Sequence, residues 1–189
     1  MRGVGLRAVA AGAVLATVAL TVGGTAYAGT GQIRTAERPA APTVSGEVLG
    51  PDGYKSLKLG MTEADAVATG ELGARRDVPP DACPVYDLRD WPSGGAVDGA
   101  AVVFSPDLGL VAIWAYPGVH TPEGIGLGST VAEAKAAFPG YHDGSPYTND
   151  GAPVPGNSRA YYGIGRRAGD SGRIISLYLA SNDERCFNN

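Results

Sequence analysis

The 189-residue sequence predicts an α+β domain in which two related helix-plus-antiparallel-strand halves share one sheet, with the helices on one face. Three observations predict it. A motif recurs at a constant offset: residues 57–68 read LKLGMTEADAVA and residues 125–136 read IGLGSTVAEAKA. Each copy is followed by segments in which apolar residues alternate, the period of a half-buried strand. The 29 Gly and 14 Pro supply the turns that antiparallel strands need.

The chain opens on a targeting pattern. Arg2 and Arg7 flank a basic start, residues 8–22 are apolar or small, and Ala26-Tyr27-Ala28 places small residues where a signal peptidase reads. The apolar run is shorter than the roughly 20 residues of a spanning helix. Residues 1–28 are therefore expected to be a cleaved secretory signal, the alternative being an uncleaved N-terminal anchor. No Cys follows the run, which argues against a lipoprotein. Residues 29–53 lack periodicity and are rich in Pro, Ala, Thr and Gly, the composition of a disordered leader or linker. A single domain is expected over 54–189, its halves spanning about 54–118 and 119–189.

Within each motif the residues have separate physical roles. A short apolar strand ends at Gly60 or Gly128, where a sharp turn is permitted. Thr62 and Thr130 stand where an N-cap is needed, and Asp65 and Glu133 stand at N3, where a carboxylate closes a capping box. The helices should end near Gly70 and near Phe138-Pro139-Gly140. Strands are then expected at 101–105 and 110–116 around the turn Pro106-Asp107-Leu108-Gly109. A second hairpin is expected from 159–165 and 173–181 around a loop holding Gly169-Asp170-Ser171-Gly172.

Alternation assigns faces. Val111, Ile113 and Ala115 share one face, as do Ile175, Leu177 and Leu179; these should lie under the helices. The opposite face carries Ala112, Trp114 and Tyr116 with Ile174, Ser176 and Tyr178, joined by Tyr161 from its neighbouring strand. Aromatic rings on an open sheet face are candidate binding anchors. The candidate binding residues are Trp114, Tyr116, Tyr161 and Tyr178, with Trp91 on a loop. The alternatives are rings packed against loops, or the two faces reversed.

The repeated Leu-Gly-x-Thr helix start, LKLGMTEADAV and IGLGSTVAEAK, resembles the module of the BamE (SmpA/OmlA) type. Two such modules in tandem in a secreted chain are similar to the beta-lactamase-inhibitor proteins of actinomycetes. The stretch from Ala112 to Thr130 is similar to small exported actinobacterial proteins of unassigned activity. The resemblance implies a binding scaffold. The inhibitor keeps its disulfides within modules, whereas here each half holds one Cys, and no inhibitory contact residue carries over.

Export bears on Cys83 and Cys186, the only two cysteines. An oxidising compartment favours their pairing, against two free thiols or an intermolecular bridge. In the chain-entropy model a loop of this length is worth about 4–5 kcal/mol. The chemistry otherwise reads as absent. A formal net charge of −4, becoming −6 once Arg2 and Arg7 leave with the signal, argues against nucleic acid and anionic lipid as partners. Two Cys and two His give little material for a soft-ligand metal centre, so no metal and no cofactor are expected. Gly169-Asp170-Ser171-Gly172 matches the nucleophile motif of trypsin-like proteases. It lacks that family's Gly-Pro continuation and its His context, so it reads as a loop. Residues 141–158 read as a long solvated loop, although His142, Asp143 and Asp150 are candidate cation ligands. Residues 77–90 read as charged surface around Cys83. The expected function is a secreted, non-enzymatic binding protein whose partner is a protein or a cell-envelope component. The alternatives are a hydrolase with a site around His120, His142 and Asp143, and a structural envelope protein.

Overall fold

A computed structural model describes residues 47–91, 102–144, 149–166 and 172–187. The expected signal at 1–28, the first part of the expected leader and most of the Gly169–Gly172 loop lie outside these residues. Described strand structure is already present before the expected boundary at 54. Strand β1 (Glu47–Val48) is followed by Leu49, which is wholly buried. The Leu49 N–H donates to the His120 carbonyl at 2.9 Å, and its own carbonyl accepts from the Tyr162 hydroxyl at 3.2 Å. Two strand residues carry no readable alternation, which is why composition alone placed this segment with the leader.

The next elements are β2 (Gly53–Tyr54), β3 (Leu57–Lys58), helix α1 (Glu63–Thr69), β4 (Leu72–Arg75), β5 (Val85–Leu88), β6 (Val102–Ser105) and β7 (Gly109–Trp114). They are followed by β8 (Val119–His120), helix α2 (Val131–Ala137), β9 (Asp150–Val154), β10 (Asn157–Arg166) and β11 (Ile174–Ser181). Seven strands form one antiparallel sheet in the order β4-β5-β6-β7-β11-β10-β9. The early strands β4–β7 meet the late strands β9–β11 where β7 pairs with β11, Trp114 opposite Tyr178 and Ile113 opposite Leu179. Strand β1 pairs with β8 in parallel, and β2 with β3 as a tight hairpin.

Both helices start and stop where the motifs place them. Thr62 caps α1 by accepting from the Asp65 N–H at 3.2 Å, and Gly70 ends it in the left-handed conformation at φ 75. Thr130 and Glu133 close a full capping box on α2, the Glu133 carboxylate accepting from the Thr130 N–H at 2.7 Å. Asp65 is one methylene shorter than Glu133, and its carboxylate accepts from the Thr62 hydroxyl instead. Helices of seven residues are not stable alone. Each is held by a wholly buried alanine, Ala66 and Ala134, in the larger core cluster.

The motif glycine has a second role that links helix start to sheet. The Gly60 N–H donates to the Leu110 carbonyl, and the Leu110 N–H returns to the Met61 carbonyl, both at 2.8 Å. The second copy repeats the pair of bonds: Gly128 N–H to the Ile174 carbonyl at 2.9 Å, and Ile174 N–H to the Ser129 carbonyl at 2.8 Å. Each clamp grips a strand beside a β-bulge. In β7, Phe104 pairs with Leu110 and Val103 with Ala112, leaving Val111 extra. In β11, Arg166 pairs with Ile174 and Gly165 with Ser176, leaving Ile175 extra.

The bulges correct the expected faces. Leu110, Ile113 and Ala115 join Ile174, Leu177 and Leu179 in the cluster with the helices. Val111, expected beside Ile113, lies in the opposite cluster with Ala112, Tyr178 and Ala180. Ile175, expected in the core with Leu177, is 44% exposed. A strict period of two cannot anticipate one extra residue, which moves the upstream side chains to the other face. Two further segments differ from expectation. The charged stretch 77–90 contains β5, where Asp87 is buried and ion-paired to Arg76 at 2.8 Å. The loop expected over 141–158 contains β9, which adds the outermost strand beside β10. No helix among the described residues is long and apolar enough to cross a membrane.

Cys83 and Cys186 are bridged, their Cα atoms 5.9 Å apart. Each single change, Cys83→Ser or Cys186→Ser, is expected to lower the melting temperature equally, with the double change no worse than either. Unequal losses in thermal denaturation would contradict a shared bridge.

Candidate binding face

The candidate aromatic residues fall into two groups. Trp114, Tyr178 and Tyr161 come together on the face opposite the helices. Tyr116 and Trp91 meet elsewhere.

On the first face, the register of β7 and β11 sets Trp114 against Tyr178, and their rings stack at 4.7 Å with 25° between planes. Tyr178 also lies opposite Gly163 of β10. Its ring covers that glycine so closely that a Cβ there would sit 1.9 Å from the phenol carbon. Glycine leaves the space that an aromatic neighbour fills, a cross-strand rescue of a weak strand position. Tyr161 meets the Tyr178 ring edge-on at 6.0 Å. The Tyr161 hydroxyl donates to Glu184 at 3.4 Å, and burial, with Tyr178 and Glu184 nearby, raises its phenol far above the ordinary value. Phe187 sets its edge on Trp114 at 5.2 Å and contacts Tyr178 at 6.0 Å.

This face is not the open platform that alternation predicts. Tyr178 is only 7% exposed, and Val103, Val111, Ala112 and Ala180 are buried with it. The segment after β11 returns across the face, tied by the bridge from Cys186 to Cys83. Trp114 and Tyr161 are half-buried, and Phe187 is 39% exposed. Phe187 was missed in the sequence because it follows the last alternating strand and shows no pattern of its own.

Three grooves adjoin the turn between β6 and β7, with volumes of about 220, 280 and 540 Å³. All three border Leu108, which is 41% exposed at the tip. The largest is lined by both bridged cysteines, Asp107, Asp183 and Arg185.

The second aromatic group is a clamp on β1. Tyr116 stacks on Trp91 at 5.4 Å with 12° between planes, and meets Tyr54 edge-on at 6.1 Å. The Tyr54 and Tyr116 hydroxyls lie 2.7 Å apart, and both donate to the Glu47 carboxylate. Lys55 pairs with Glu47 at 2.8 Å and with Asp90. Lys55 holds Glu47 down to about 2, with help from Tyr116 and Tyr54. Burial, then Glu47, raises Tyr54, and Asp90 with Glu47 raises Lys55. These shifts favour a charged Glu47 and Lys55 and neutral Tyr54 and Tyr116. The geometry of the group ties β1 to the loops after β5 and β7. Lys55 reaches its partners from a two-residue turn at φ 49, a conformation disfavoured for a non-glycine residue. Glu47, Tyr54, Lys55 and Asp90 carried no sequence signal, because their meeting depends on turns of the chain.

The candidate hydrolytic residues lie on separate elements with their own partners. His120 is buried in β8, its Nδ1–H donating to the Thr121 carbonyl at 2.9 Å. His142 pairs through its backbone with Gly151, and its imidazole covers that glycine. Asp143 pairs with Lys135 at 2.8 Å. Burial opposes the charge on Asp150, but Tyr141, the Gly144 N–H and Arg166 outweigh it and hold the carboxyl below its ordinary value. Among the described residues, no group of three or more His, Cys, Asp or Glu is placed to hold a metal ion.

Two predictions follow from these clusters. Gly163→Ala forces Tyr178 off Trp114 and is expected to cost about 1–3 kcal/mol, read by denaturation, with loss of aromatic near-UV dichroism. An unchanged stability and spectrum would show that the ring does not occupy that space. For Glu47 the folded value is depressed, so its contribution is complete above the ordinary 4.5 and is lost as pH falls through about 2. Acid titration of stability should therefore be shallower in Glu47→Gln between these values; an identical slope would contradict the clamp.

Comparison with protein-family models, with curated proteins and with solved structures finds no match for this chain.

Proposed function

We propose that the chain is a secreted, non-enzymatic binding protein that recognises a protein or cell-envelope component through the aromatic face around Trp114. The observation that carries the reading is a preorganised aromatic patch. Trp114 and Tyr161 present partly open rings, Phe187 projects beside them, and Tyr178 is packed beneath. Rings fixed before binding lose little entropy on contact, which is why Trp and Tyr dominate interface hot spots. A groove of about 540 Å³ lies between the Cys83–Cys186 bridge and the β6–β7 turn and offers room for a partner side chain.

The proposed architecture is a tandem of two related halves sharing the sheet with their helices on one face, of the BamE-like kind. The matched clamps support it. Gly60 with Leu110 and Gly128 with Ile174 make the same two-bond arrangement, each beside a bulge in the strand at the junction. Equivalent caps at Thr62 and Thr130 support it further.

The test is capture from secreted and envelope fractions of bacterial cultures on immobilised protein of residues 29–189. A stoichiometric partner is expected, held at least roughly tenfold more weakly by Trp114→Ala/Phe187→Ala. No partner, or one held equally by the variant, would remove the aromatic face as the site.

A further inference from the structure

We infer that Cys83–Cys186 is an exchangeable disulfide that latches a C-terminal strap, residues 182–187, over the aromatic face, and that a thiol entering the adjoining groove releases it. The site is the bridge itself, and its substrate class is a small thiol or the dithiol of a reducing protein.

The strap is held by little besides the bridge. After β11 the chain reverses, the Asn182 N–H donating to the Arg159 carbonyl and its amide to the Ser158 carbonyl, both at 2.9 Å. Beyond Asn182 the backbone turns on itself. The Glu184 N–H donates to the Ser181 carbonyl, and the Cys186 N–H donates to the Glu184 carboxylate. Among the described residues, the only backbone hydrogen bond from residues 183–187 to the sheet is this local one to Ser181, the last residue of β11; none reaches another strand. What remains is the long Tyr161–Glu184 hydrogen bond, the Phe187 ring contacts, the packing of Cys186 on the cluster of Val103, Val111, Ala112, Tyr178 and Ala180, and the disulfide. A segment with so few independent contacts opens locally at far lower cost than the strands beneath it.

The bridge is also within reach. Both cysteines are half-buried and line the groove of about 540 Å³. Arg185 lines the same groove together with Asp107 and Asp183. Accessible disulfides are the labile and regulatory ones. An incoming thiolate attacks one sulfur, the S–S bond breaks, and the other cysteine leaves as a thiolate that takes a proton. A second thiol then attacks the mixed disulfide and frees the first cysteine. Two thiols are oxidised to one disulfide, and the bridge is reduced to two cysteines. Phe187 then leaves Trp114 and Tyr178, the preorganised patch loses that ring, and the buried ring of Tyr178 gains access to solvent.

The consequence for partner binding rests on the binding reading above; the latch does not. The test treats the secreted chain with dithiothreitol without denaturant. Thiols are counted, hydrogen exchange is followed by mass spectrometry, and an apolar dye reports uncovered surface. Release of two thiols is expected. Exchange in residues 182–187 should rise at least roughly tenfold while β7, β10 and β11 stay protected, and dye fluorescence should rise and fall back on reoxidation. Cys83→Ala/Cys186→Ala should show the same state without reductant. Resistance of the bridge without denaturant, or loss of protection across β7, β10 and β11, would overturn the latch. Strap release with no partner captured in either redox state would instead remove the binding reading and leave the latch standing.

Discussion

Two short backbone clamps organise much of this molecule. Each uses a glycine with positive φ, Gly60 at 80 or Gly128 at 90, to aim an N–H at a strand residue that returns the bond one residue later. The glycine is needed because L side chains rarely adopt that conformation. The gripped residues, Leu110 and Ile174, are wholly or almost wholly buried, and each stands next to a bulge. The clamp therefore delivers a helix N-terminus to the sheet and fixes the place where strand register changes. Caps at Thr62 and Thr130 follow within two residues, so one short motif sets turn, strand contact and helix start together.

The two gripped strands, β7 and β11, pair with each other. That junction joins strands from early and late in the chain and decides which side chains share a face. Leu177 and Leu179 go to the helices, while Trp114, Tyr178 and Ala180 go to the other side. The aromatic stack, the vacant Cβ space at Gly163 and the approach of Phe187 all depend on this register. The Glu47 cluster stands apart from it. It joins β1, the β2–β3 turn and the loops after β5 and β7, so it secures the ends of the fold rather than its centre.

Much of this was legible in the sequence where a local rule is strong. Helix starts at Thr62 and Thr130, the stop at Gly70 and the turn at Pro106–Gly109 follow from capping and turn chemistry within a few residues. The Cys83–Cys186 pairing, expected from two cysteines in a chain read as exported and weighed against free thiols or an intermolecular bridge, is present. What was not legible required one residue to be read differently from its neighbours. Val111 and Ile175 break the alternation as bulges, and no composition signal marks them. Strand β5 was concealed by Asp87, a charged residue that is buried in the strand and paired with Arg76. Of the candidate binding residues, Trp114, Tyr161 and Tyr178 converge. Tyr116 lies past the end of β7, where the strand period no longer applies, and it turns to Trp91 and Tyr54 instead.

The claim that the paired clamps and the β7–β11 junction form one cooperative unit is tested most directly by native-state hydrogen exchange. The amides to follow are Gly60, Leu110, Gly128, Ile174 and Ala115, the last bonded across the junction to the Leu177 carbonyl at 2.9 Å. The account predicts that all five exchange with the same, highest protection, through global unfolding. Fast exchange at Gly60 and Leu110 while Gly128 and Ile174 stay protected, or the reverse, would contradict it. The two ends of the sheet would then open independently.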